Sequence, residues 1–134
     1  MTRLTGWEKR LNAVVAKHQL LPSVYGTSDC YLIADDGVEA VTGDRMYADA
    51  LGYKTEAGAA KKLRQHGFQT VRDAFSAKFT EIAPSLAQRG DIGVIDRDGV
   101  LSGGLFTSIG FMTRGADAVE FLPASEVAYA FKVI

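Results

Sequence analysis

Tyr25-Gly26-Thr27-Ser28-Asp29-Cys30-Tyr31-Leu32-Ile33-Ala34 passes from a glycine-containing loop into an apolar run, and the passage hands the only cysteine of the chain to the start of a helix. A helix N-terminus favours negative charge and so lowers a thiol's pKa, which makes Cys30 the point where nucleophilic chemistry would begin. The helix is expected from about Ser28 to Val41, capped by Thr27 or Ser28 and stopped at Gly43, with Gly37 an anomaly inside it. Taken alone, a single cysteine is more often a small buried apolar residue than a reactive thiol. Its meaning depends on the residues around it.

Upstream, Leu4, Trp7, Leu11, Val14, Val15 and His18 recur at helical spacing and form one face of a first helix. Thr5 with Glu8 three places later reads as its capping box, and Pro22 follows its end. Downstream, Asp44 to Leu51 is expected to form a short helical turn. A third helix is expected over Thr55 to His66, with a threonine cap and Gly67 just past it, and a fourth over Thr70 to Phe79.

After Pro84 the pattern becomes extended. Ile92, Val94 and Ile95 make a strand, and Asp96-Arg97-Asp98-Gly99 is a hairpin turn with its return strand from Leu101. Leu105, Thr107, Ile109 and Phe111 fall on one face of an alternating run that ends near Arg114-Gly115. Ala118 to Leu122 comes back, and Tyr129 to Val133 closes the sheet. Helices followed by an antiparallel sheet make an α+β fold, one domain over residues 1–134, with a helical half to about 83 and a β half from about 84.

Composition narrows the function classes. The 134 residues carry a formal net charge of −1 and only one short basic cluster, Lys61, Lys62 and Arg64, which argues against holding a phosphate backbone. No apolar run approaches the roughly 18 residues that a membrane helix needs, and the N-terminus lacks the apolar stretch of a signal peptide, so the expected setting is the cytoplasm with no membrane insertion. One cysteine closes no internal disulfide and supplies no thiolate zinc cluster. No cofactor or metal is expected.

Trp7 followed by Leu11, Tyr25 to Cys30, Thr42-Gly43-Asp44, Tyr53-Lys54-Thr55, Gly67-Phe68, Ala87-Gln88-Arg89-Gly90-Asp91 and the closing aromatic-basic-Val-Ile tail occur in an order that spans nearly the whole chain. In that order the chain resembles a family encoded in phage and prophage tail modules, itself similar to the NlpC-type cell-wall peptidases of papain-like fold. The resemblance puts Cys30 at the nucleophile position and Asp29 at the acidic position beside it. In the active relatives the base is a histidine at the start of the strand after the Gly-Asp hairpin. Here that stretch reads Leu101-Ser102-Gly103-Gly104-Leu105-Phe106-Thr107-Ser108-Ile109-Gly110, with no histidine. Cys30 is then either vestigial or a nucleophile without its base, and a missing acid-base group costs about 10²- to 10⁴-fold in rate.

The remaining candidates have plainer readings. His18 continues the apolar face of the first helix and reads as a half-buried structural histidine. His66 sits in the last turn of its helix, where a cation suits the helix dipole. Asp35 and Asp36 are adjacent on a helix, point in different directions, and read as a solvated face. Arg89-Gly90-Asp91 is a strand entry rather than an adhesion signal, and Asp96 to Gly99 lacks the downstream glutamate of a calcium loop. Gly103-Gly104 precedes a strand and is no phosphate cradle.

Two functions are therefore expected from the resemblance. The first is a structural or assembly component of a phage tail, in its tip or hub, partnered by other tail proteins and assembled in the host cytoplasm. The second is a peptidoglycan-cutting cysteine endopeptidase or amidase that uses Cys30 during genome entry. A small-ligand module using the same cleft is a third reading, with no polar constellation to specify it.

Overall fold

The computed structural model describes residues 2–134. Four helices, α1 (Trp7–Leu20), α2 (Cys30–Thr42), α3 (Glu56–Gln65) and α4 (Val71–Ser76), precede a six-stranded sheet. Its strands are β1 (Glu81–Ile82), β2 (Ile92–Arg97), β3 (Val100–Thr107), β4 (Gly110–Arg114), β5 (Val119–Leu122) and β6 (Tyr129–Phe131). All pairings are antiparallel, in the order β1-β6-β2-β3-β4-β5. Short 3₁₀ turns cover Ala48–Ala50, Pro84–Leu86 and Ala124–Glu126. The α+β expectation holds, and α2 is the helix laid against the centre of the sheet.

The strands alternate between two apolar clusters, as a period of two requires. Ile92, Val94, Leu105, Met112 and Phe131 face the helices and meet Leu11, Ile33, Val41 and Phe75. Ile95, Phe106, Phe111 and Ala130 belong to a smaller cluster with Val127, covered by Ile82, Ala87 and Leu122. Burying a side chain such as Phe75 or Ile33 completely contributes about 2–3 kcal/mol each, so the helix-facing cluster dominates the stability.

Four expectations about elements are corrected. First, α1 starts at Trp7 with Gly6 as its cap at φ 79°, and no side chain caps it. The Leu4 amide bonds instead to Val41 O at 2.8 Å, which fixes the chain one turn earlier and leaves the Thr5–Glu8 box unmade. Second, α2 begins at Cys30 and is capped by Asp29, whose Oδ1 accepts from the Leu32 amide at 2.9 Å, not by Thr27 or Ser28. Third, the alternating run over 105–111 is broken. Thr107 Oγ1 donates to Gly110 O at 2.7 Å, Gly110 takes φ 133°, and the chain reverses there, so Ile109 is an exposed hairpin tip. Fourth, β1 lies before Pro84 and pairs with β6, so the sheet reaches into what the composition assigned to the helical half.

Other signals translate directly. Thr55 caps α3, Thr70 and Asp73 close a reciprocal capping box on α4, and Asp98 and Gly99 supply the two positive φ values that turn β2 into β3. Asp91 serves the strand entry, accepting from the Gln88 and Val133 amides and from Arg3. Among the described residues, no helix is long and apolar enough to cross a membrane.

Candidate functional site

Cys30 occupies the first turn of α2 because Asp29 is extended and capping, and Gly43 ends the helix in the left-handed conformation 13 residues on. Asp29 is buried and fully engaged. Its Oδ2 accepts from the Gly26 amide at 3.0 Å and from the Tyr53 hydroxyl at 2.8 Å, so the acidic residue beside the thiol works as a brace for the loop that presents it.

A cleft of about 310 Å³ opens in front of α2. One wall is Asp29, Cys30 and Tyr31; the second is the hairpin between β2 and β3, with Gly99 to Ser102; the third is α3, with Ala59, Ala60, Leu63 and His66. Tyr25, Tyr47, Tyr53 and Phe68 complete a lining that is mostly ring and methyl surface. Four of the chain's five tyrosines are here. The Tyr31 hydroxyl is buried without a hydrogen-bond partner, and burial raises its pKa further above the ordinary phenol value.

Cys30 is only partly exposed at the cleft, and its surroundings work against a thiolate. Burial pushes Cys30 up to about 11, with the Asp29 charge adding to the rise, although backbone hydrogen bonds from Gly103, Tyr31 and Cys30 itself pull the other way. Desolvation outweighs the helix terminus, contrary to the lowering that the helix position alone suggests. Gly103 of β3 is the nearest part of the sheet: a Cβ there would stand 3.1 Å from the Cys30 carbonyl oxygen and 3.0 Å from Phe75 Cζ. A glycine is what lets α2 and β3 approach so closely.

Neither imidazole reaches the sulfur. His18 is fully buried rather than half-buried, with Nδ1 2.7 Å from Ser28 Oγ and Nε2 2.7 Å from Asp36 Oδ2. Arg114 Nη1 also donates to Ser28 Oγ, at 2.8 Å, so every group is satisfied when the Ser28 hydroxyl donates to Nδ1 and Nε2–H donates to Asp36. Serine, histidine and aspartate in sequence look like a triad, but Ser28 and His18 are closed to solvent and to substrate. His66 lines the cleft, where its Nε2 lies 3.4 Å from Asp49 Oδ1 and its ring stacks on Phe68 and meets the Tyr47 edge.

Asp35 and Asp36 are a correction to the expected solvated face: both are buried. The loop after α2 folds back over them, so that Arg45 Nη1 reaches Asp35 Oδ2 at 2.8 Å and Asp36 Oδ1 at 2.9 Å, and the Met46 amide reaches Asp35 Oδ1 at 2.8 Å. Burial alone would raise the Asp36 carboxyl, but hydrogen bonds from His18, Lys17 and Arg45 outweigh it and hold the group well below the usual carboxylate range. Burial wins at Asp35, which is raised. The only sequence clue was two adjacent carboxylates on a mostly apolar helix with His18 and Lys17 one helix away.

No curated protein and no solved structure matches the chain. A family model described as a domain of unknown function (DUF6950) matches residues 2–133, nearly the full length, and the chain belongs to that family.

Proposed function

We propose that the chain is a non-catalytic domain of papain-like, NlpC-type fold that serves as a structural component of a phage tail, in the tip or hub, in contact with other tail proteins. The observation that carries the non-catalytic part is the surroundings of Cys30: a largely desolvated thiol against the Gly103 backbone, with His18 bonded to Ser28 and Asp36 and no hydrogen bond from His66 to the sulfur. A cysteine hydrolase needs a thiolate with an imidazole hydrogen-bonded to it, and no imidazole is bonded to the sulfur here. The tail assignment rests on the resemblance of Tyr25 to Cys30 and the motifs that follow it to tail-module proteins.

The competing reading, a peptidoglycan-cutting endopeptidase or amidase with Cys30 as nucleophile, draws on His66 standing in the wall of the same cleft. One experiment separates the two. Purified protein and its Cys30→Ala variant are incubated with peptidoglycan, and particles carrying the variant are counted for infectivity. No release of wall fragments by either protein and full infectivity of the variant are expected. Iodoacetamide labelling of Cys30 should titrate with an apparent pKa near 11, running roughly a hundredfold or more slower near neutral pH than an unperturbed thiol. Fragment release that depends on Cys30, or loss of infectivity with intact tails, overturns the proposal.

A further inference from the structure

The three walls of the cleft are not equally anchored. α2 buries most of its residues, and β3 runs through the middle of the sheet, but no residue of α3 is buried. α3 packs chiefly on the turn Ala48–Ala50, which itself has no buried residue. The side of α3 that faces the molecule, Ala59, Ala60 and the half-buried Leu63, looks onto the cleft. Within the helix Leu63 is the one large apolar side chain, and at its end the His66 ring adds a stack on Phe68 and an edge contact with Tyr47.

Its two ends suit movement. On the N-terminal side Tyr53 is fixed by its bond to Asp29, and the exposed Lys54 and Thr55 separate it from the helix. On the C-terminal side Gly67 takes φ 83° with nothing within 4 Å of where a Cβ would be, and Phe68 beyond it packs on Tyr47, so that undocking has to release the bond from the Phe68 amide to Leu63 O at 2.9 Å. Gly58 inside α3 weakens the helix further. On the α2 wall the buried Tyr31 hydroxyl has no partner among the described residues, which penalises the present arrangement and is relieved once water or a ligand reaches it.

We propose that α3 is a lid: the segment from Lys54 to Gly67 undocks as a unit between Tyr53 and Phe68, and so widens access to the partly exposed Cys30 and to the buried Tyr31 hydroxyl. Lids come from the least stable part of a fold, and this segment is the wall with the least burial. The device follows from the cleft alone and stands whether or not the tail assignment does.

Native-state hydrogen exchange on the full chain, read together with the rate of Cys30 alkylation, tests it. Amides of α3 are expected to exchange on the order of a hundredfold faster than those of β2, β3 and β4, through openings that leave the sheet intact. Leu63→Ala removes the anchor and should raise both α3 exchange and Cys30 alkylation by about tenfold, with sheet amides unchanged. α3 amides that exchange only at the rate of the sheet overturn the lid. So does a Leu63→Ala variant that speeds sheet exchange equally, or one that leaves Cys30 labelling where it was.

Discussion

Asp29 and Asp36 sit two turns apart on or beside α2, and their carboxylates do different work. Asp29 is spent on amides of its own loop and on Tyr53, whereas Asp36 is the hub of a charged cluster with His18, Lys17 and Arg45. Removing one member of a buried ion cluster strands the others, and Asp36→Asn is expected to lower stability by about 3 kcal/mol at pH 7. The pH dependence has a definite sign. Asp36 is held below its unfolded value of about 3.9, so its contribution is complete above that pH and fades as pH falls toward the folded pKa; Asp35, raised by burial, gives the opposite and opposing slope. Urea unfolding of both proteins at pH 7 and pH 3 should show the gap between them narrowing at pH 3. A gap that is constant with pH would assign Asp36 a packing role only. The thiol's place at a helix start was legible in the sequence, since a polar loop running into an apolar stretch marks a helix entry. Its pKa and the burial of Asp35 and Asp36 were not, because the first depends on the burial that the packed elements impose and the second on Arg45, which is brought there only by the fold.

Gly37 counted against a helix when only local propensity was considered, and the reason for it lies on another element. A Cβ at Gly37 would stand 2.4 Å from Leu105 Cδ1, and Leu105 is fully buried on β3. The glycine sets how closely α2 can lie on the sheet. Gly37→Ala gains about 1 kcal/mol of helix propensity and forces a packed core apart, for a net loss of about 1–2 kcal/mol. Gly104→Ala should cost more, because its Cβ would meet Met112 O at 2.6 Å as well as Phe111 Cζ at 2.4 Å, and a backbone oxygen in the sheet has nowhere to go. Thermal melts of the two variants rank them, and a Gly104→Ala protein as stable as Gly37→Ala would show that β4 yields more than its pairing with β3 suggests. Periodicity and capping residues read most elements correctly, since Thr55, Thr70, Gly43 and Asp98-Gly99 act within a few residues of themselves. The misreadings fell where a partner far along the chain decides: Leu4 on Val41 moved the start of α1, and β6 made a strand of Glu81–Ile82.

At the scale of the molecule, helices and sheet meet through the apolar cluster and through two arginines that cross most of the sequence. Arg3 reaches Asp91 at 3.0 Å, Arg89 O at 2.6 Å and Val133 O at 2.9 Å, closing the N-terminal segment onto the entry to β2 and the residues after β6. Arg114 on β4 donates to His18 O, Leu21 O, Ser23 Oγ and Ser28 Oγ, all within 2.9 Å, and so pins the end of α1 and the loop toward Cys30 onto the sheet. Such a clamp has no local signature, because its partners are some 90 residues away in sequence. Arg114→Met keeps the stem and removes every donor, leaving two carbonyls and two hydroxyls to find new partners in a buried place. A loss of about 3–4 kcal/mol is expected, seen as a lower urea midpoint with an unchanged slope. Ser28 has lost one of its two anchors in that variant, so the loop presenting Cys30 should loosen and the thiol should label faster than in the parent. A midpoint shift under 1 kcal/mol with unchanged labelling would mean that the apolar cluster alone holds the two halves together and that Arg114 follows their arrangement rather than fixing it.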